Sequence, residues 1–185
     1  MSIIMLFLFI LFPIAFGVFY YRHSKKIALM IMGIPLLIIL SLGSWIIYEM
    51  NHQFVKSTYL NNEGLGEISL FDTVDEYFKA AHGPYTTSEN VFYKESLYFS
   101  NFHVGTNEEN KIIYLRAIDE TMSTRKGIRV GVPIQKVKDV YGENFYSIVE
   151  QGMDVIGYID RENQVNIQFW HYEGHVIEIR MFYGR

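Results

Sequence analysis

Residues 27–48, IALMIMGIPLLIILSLGSWIIY, form an apolar run with no charged side chain, preceded by Arg22, His23, Lys25 and Lys26. Coiled as an α-helix at about 1.5 Å per residue, such a run matches the roughly 30 Å hydrocarbon core of a bilayer. No small water-soluble domain has a natural place for it. A second apolar segment lies upstream at about 3–20. It contains Pro13, which a membrane helix tolerates because neighbouring groups re-satisfy the freed backbone. It lacks the basic start and the small-residue cleavage pattern of a signal peptide, so it too reads as transmembrane. Basic residues beside a span stay on the cytoplasmic side. The sequence thus predicts a two-pass cell-membrane protein (helices at about 3–20 and 27–48), with both termini and the C-terminal domain extracytoplasmic. Trp45 and Tyr48 at one end, and Phe19, Tyr20 and Tyr21 at the other, suit the aromatic belts of the interfaces. Gly33, Pro35, Gly43 and Ser44 mark either a packing face or ordinary membrane composition.

The rest of the chain is different in kind. From residue 52 onward there are 13 Lys or Arg against 19 Asp or Glu, which leaves this part near −6. An acidic domain without a basic stripe is no partner for nucleic acid, nor for lying flat on anionic lipid. There is no cysteine in the 185 residues. That removes disulfides, thiolate metal sites, cysteine nucleophiles and a lipidated-cysteine anchor together.

Residues 51–66 read as a polar linker, with Asn61-Asn62 and two glycines as turn signals. A pattern then occurs twice. Ile68 and Leu70 alternate as a strand. Thr73 and Glu76 fit a capping box, and Val74, Tyr77, Phe78 and Ala81 make a helical stripe that Gly83-Pro84 stops. Later, Ile128 and Val130 alternate, Pro133 suits a first helical position, and Ile134, Val137, Val140 and Tyr141 make the second stripe, ended by Gly142. Strand-like runs follow each helix, at 97–99 and 111–115, then at 156–159, 165–169 and 176–181. In the run at 165–169, Val165, Ile167 and Phe169 face one way and Asn166 and Gln168 the other. The endings also match, KIIYLRAI at 111–118 against HVIEIRMF at 175–182. The expected fold class is α+β: an N-terminal two-helix transmembrane hairpin (1–50), the linker, and a tandem repeat of strand–helix–antiparallel β-meander units at 67–120 and 121–185.

At residues 126–142, KGIRVGVPIQKVKDVYG, the chain resembles the helix-plus-meander repeats of the β-lactamase-inhibitor-protein-like and SmpA/OmlA-like folds. There a glycine-containing strand–turn precedes a short helix that ends in glycine. Gly127, Gly131, Val137 and Gly142 take those places, and Gly83-Pro84 ends the first copy. The first copy departs from the pattern, with Phe71-Asp72 where the second has Gly131-Val132. The resemblance covers residues 66–185 and implies an extracytoplasmic role in protein–protein contact. It carries over no binding residue.

Candidate chemistry is sparse. His171 and His175 flank Glu173-Gly174, so they sit on a hairpin, without the HExxH order or a third ligand of a zinc site. Asp72, Asp75 and Glu76 resemble a hydrolase carboxylate pair, but acids at a helix start also complement its dipole. No serine elbow and no phosphate loop is present. No catalytic, cofactor-binding or metal residue is therefore assigned, and no cofactor is expected. Phe169 and Trp170 are neighbours on a strand and point to opposite faces. With Phe169 inside, Trp170 is either displayed beside Tyr172 as a partner-binding patch or packed against the sister unit or a helix. The expected function is a non-catalytic, membrane-anchored, extracytoplasmic protein-interaction or sensing module of a bacterial envelope, of accessory, inhibitory or immunity type. The alternatives are an envelope-polymer hydrolase or metal-dependent enzyme, and a structural subunit of a membrane complex. The expected partners are the bilayer, through residues 3–48, and a protein.

Overall fold

The computed structural model describes residues 3–49 and 54–184, with side chains described over 11–47 and 54–184. The chain divides into two compact units, 1–51 and 52–185. The boundary predicted between membrane helices and linker falls partly on residues 50–53, outside the described residues.

The first unit is a pair of helices, α1 (Ile3–Tyr20) and α2 (Lys25–Glu49). Gly17 and Ala28 are buried where the two helices meet; a Cβ on Gly17 would come 2.5 Å from Met32 Cγ and 3.1 Å from the Ala28 carbonyl oxygen. Small residues let helix backbones approach this closely. Gly33 and Gly43 have open space around their Cα, so the contact is not at the glycines singled out from the sequence. Among the described residues one helix is long and apolar enough to cross a membrane, the 23 residues Lys25–Ile47. Only 11 % of its most apolar window is buried, and Met30, Leu37 and Trp45 stand out from it, so it is not the core helix of a globular domain. The described apolar run of α1 is Leu11–Tyr20, about 15 Å of helix and half a hydrocarbon core. The two-pass topology is accordingly corrected to a single candidate span.

The second unit is α+β. It contains β1 (Gly64–Leu65), β2 (Ile68–Ser69), α3 (Glu76–His82), β3 (Thr86–Ser88), β4 (Glu95–Tyr98), β5 (Phe102–Thr106), β6 (Ile112–Ala117), α4 (Ile134–Tyr141), β7 (Tyr146–Glu150), β8 (Met153–Asp160), β9 (Val165–Tyr172) and β10 (His175–Tyr183). β1 and β2 pair with each other. The remaining eight strands form one antiparallel sheet in the order β3-β4-β5-β6-β10-β9-β8-β7. Each helix thus precedes four strands, and the last strands of the two groups, β6 and β10, meet at the centre.

Local chemistry explains where the helices begin. α3 is capped by Asp75, whose carboxylate accepts from the Phe78 amide at 2.8 Å. The capping box expected at Thr73 is displaced because residues 73 and 74 are held extended: Thr73 bridges Lys111, and the Val74 amide donates to the Asn110 carbonyl. Asp72 accepts from the Ser69 amide instead. Pro133 is the residue before α4, with ψ 139°, rather than its first turn. The strand expected at 128–130 is reduced to an isolated antiparallel bridge of Arg129 with Ser123 across a tight turn, in which the Thr124 hydroxyl accepts from the Ile128 amide and the Thr124 amide donates to the Ile128 carbonyl. Both helices end on left-handed glycines, Gly83 and Gly142, at φ 85° and 88°.

The helices cover one sheet face. Tyr141 of α4 lies 5.2 Å, ring to ring, from both Tyr158 and Phe169, and the Tyr158 hydroxyl donates to the Gly142 carbonyl. Phe78 and His82 of α3 meet Phe99 and Phe102 in the same way. The segment read as a linker contributes to this core from Leu60 onward, with Leu60 and Leu65 buried and the Thr58 amide donating to Ile159. Glu63 is buried too. It lies 3.9 Å from Lys126 and accepts from the Arg125 amide, and burial pushes its carboxyl up from the ordinary range.

Candidate functional site

Neither α3 nor α4 lies on the opposite face of the sheet, and strand parity decides what that face displays. The paired residues on this face are Tyr98 with His103, His103 with Arg116, Arg116 with Arg180, Arg180 with Gln168, and Gln168 with Gly157. They form a polar and aromatic row across six strands, on the reverse of the apolar row Leu97, Val104, Leu115, Met181, Ile167 and Tyr158.

Two arginines therefore stand directly opposite one another at the central seam, an arrangement that is unfavourable unless a counter-charge lies between them. Glu178 supplies it. Its two carboxylate oxygens accept from Arg116 Nη2 and Arg180 Nε, and the residue is buried. The Arg180 guanidinium also lies 3.6 Å from the centroid of the Trp170 ring. The indole N–H donates to Gln168 Oε1 at 3.2 Å, and Gln168 Nε2 donates to the Tyr146 hydroxyl at 2.9 Å. The result is a continuous bonded platform from β6 to β7.

This answers the question left open for Trp170. It does face away from Phe169, but it is 3 % exposed, so it is not displayed as an exposed patch. What covers it is the Arg180 side chain of the neighbouring strand, neither a helix nor the other strand group. Tyr172, two residues on, is 57 % exposed.

On the β5 side, His103 is buried and its ring stacks on Tyr98 at 4.0 Å, with Tyr114 at 5.2 Å. Burial, reinforced by the Arg116 charge, pulls its pKa down to about 4. His103 is thus neutral at pH 7, and its Nε2 has no hydrogen-bond partner; nor has Arg116 Nε. Because an unfolded histidine takes up its proton near pH 6.5, stability is lost as pH falls from about 6.5 to about 4 and this contribution levels off below. The loss is on the order of 2 to 3 kcal/mol. Urea unfolding of the wild type and His103→Gln at pH 7 and pH 4.5 should show a smaller pH effect in the variant. Equal pH effects would mean that His103 titrates like an exposed histidine.

A cavity of about 450 Å³ opens on the same face between β7 and β10, lined by Tyr146, Ile159, Asn166, Gln168 and Phe182. Its lining combines Ile148, Ile159 and Phe182 with charged Asp160 and Arg161, and Asn166 Nδ2 donates to the Gly184 carbonyl.

The residues singled out from sequence for chemistry lie elsewhere. His171 and His175 sit at the β9–β10 turn, where His175 contacts the Glu173 carbonyl and burial lowers the His171 pKa. Among the described residues no three His, Asp or Glu side chains converge as metal ligands. Asp72 and Asp75 accept backbone amides, as turn and cap residues do. Sequence reasoning missed His103, Arg116, Glu178 and Arg180, which come from three strands up to 77 positions apart. The one available signal was the matched endings, which superpose Arg116 on Arg180 but do not say that the two are neighbours. No family model, curated protein or solved structure matches the chain.

Proposed function

We propose that this chain is a membrane-anchored, non-catalytic binding module that recognises a protein through the face of its sheet opposite α3 and α4. The observation that carries the reading is the Arg116–Glu178–Arg180–Trp170–Gln168–Tyr146 platform. Trp170, Gln168, Tyr146 and Glu178 are themselves buried and hold the partly exposed arginines above them in place, and arginine is a residue that protein recognition surfaces concentrate at their centres. Groups bonded in this way are preorganised for contact.

Two further readings belong to this proposal. The β-rich domain works on the extracytoplasmic side of a bacterial envelope. Arg22, Lys25 and Lys26 stand at the start of the candidate span Lys25–Ile47, and basic residues are retained inside, which sends the following residues outward. The domain is a tandem pair of helix-plus-meander units, akin to the β-lactamase-inhibitor-protein-like fold. The seam register supports this: superposing 111–118 on 175–182 maps Arg116 onto Arg180, and these two are each other's partner, as a two-fold relation between the units requires.

Photo-crosslinking residues placed singly at Tyr98 and Ile148 on the sheet face, and at the exposed Tyr77 on α3, test the binding face in intact cells. The expected result is one protein adduct from both sheet positions and none from Tyr77, formed by a domain that protease added to spheroplasts can digest. An adduct from Tyr77 alone, or a domain digested only after lysis, would overturn the reading.

A further inference from the structure

At the seam two guanidinium groups share one carboxylate, while His103 beside them is kept neutral. The centre of the face therefore holds one surplus positive charge in a domain whose net charge is near −6. The surplus is not evenly placed. Arg180 is committed twice, to Glu178 and to the Trp170 ring, and its side chain is 18 % exposed. Arg116 meets only Glu178, through Nη2, and a third of its side chain is exposed. Its Nε has no acceptor, and the Nε2 of His103, its direct strand neighbour, has no partner either. Unmatched polar atoms inside a protein are costly, so Arg116 is short of bonds in a way that Arg180 is not. Tyr98 and Tyr114 wall this spot through their contacts with His103.

Resting on the reading that this face binds a protein, we propose that the partner seats an aspartate or glutamate carboxylate on Arg116, with an aromatic or large apolar neighbour against Tyr98 and Tyr114. A carboxylate matches the planar fork of a guanidinium with two parallel bonds and neutralises the surplus charge. A phosphate would bring more negative charge than the single surplus can balance beside Glu178.

The test pans a random phage-displayed peptide library against the full chain in lipid nanodiscs. Enriched peptides should share an acidic residue beside an aromatic or large apolar one. Their binding should weaken about tenfold or more in Arg116→Gln, and equally when the peptide acid is changed to its amide. The two changes together should cost little more than either alone. Arg116→Lys, which keeps the charge and the fold, should retain part of the affinity, and thermal unfolding in the same nanodiscs checks that each variant is native. Peptides that compete with one another and are blocked by Ile148→Arg, yet are indifferent to Arg116 and to acidity, would overturn the carboxylate assignment while leaving the binding face standing. Peptides unaffected by any change on this face, or no enrichment at all, would overturn both.

Discussion

Phe169→Ala is expected to destabilise the β-rich domain by about 3 to 5 kcal/mol, the cost of losing a buried aromatic together with the cavity it leaves. Phe169 is fully buried on β9, and its ring, with that of Tyr158, seats Tyr141 of α4 on the sheet. An eight-residue helix has no stability of its own in water and depends on its packed stripe. Removing the ring therefore loosens the helix as well as the sheet. In a Trp45→Phe background the fluorescence of Trp170, on the reverse of the same strand, reports unfolding. The midpoint should fall by about 10 to 20 °C. The exposed edge residue Val149 is the control, and Val149→Ala should stay within about 0.5 kcal/mol of the parent. A shift for Phe169→Ala no larger than that control would mean that α4 is not seated on the sheet as described.

Glu178→Ala should cost a comparable amount, about 3 to 5 kcal/mol, for a different reason. Nothing large is lost from the core. Instead Arg116 and Arg180, opposite each other in the register, lose the carboxylate between them and repel in a partly desolvated setting. The signature is a rescue: Arg116→Met in the Glu178→Ala background should restore a substantial part of the stability, because it removes the uncompensated charge. A double-mutant cycle on urea unfolding measures the coupling. Additive effects, or a Glu178→Ala cost within about 0.5 kcal/mol, would show that the carboxylate does not hold the pair together.

How much of this was legible can be judged strand by strand. The runs at 156–159, 165–169 and 176–181 announced β8, β9 and β10, because β-branched residues and alternation persist long enough to register. Three strands of the eight-stranded sheet gave no signal. β3 and β7 are edges, where pairing on one side only leaves the sequence free of a strict pattern, and β5 (FHVGT) interrupts its apolar residues with His103 and Gly105. The second stripe was read largely correctly, with Ile134, Val137 and Tyr141 packed inward and Val140 exposed. In the first, Phe78 is buried, but Tyr77 and Ala81 are exposed and Val74 lies outside α3. The start of that helix moved because a long-range bridge to Lys111 holds Thr73 extended, and propensity has no access to such a contact. Residues 60–65 read as linker because they are polar and glycine-bearing, yet they seal the core through Leu60 and Leu65. For the candidate site, parity along β9 gave the correct reverse face for Trp170. It could not give the cover, since the Arg180 side chain that buries the indole arrives from the next strand.

By itself the sequence determined an apolar span at 27–48, which overlaps the candidate span Lys25–Ile47, the α+β class of the acidic remainder, and which side chains of each long strand share a face. Those properties follow from local spacing, 1.5 Å per helical residue and a period of two along a strand. Only the tertiary structure decided that β6 meets β10, and that Arg116 therefore faces Arg180 across Glu178. Strand register is a contact between residues some 64 positions apart, selected by the packing of the whole apolar face, and it leaves no mark on the residues around either arginine.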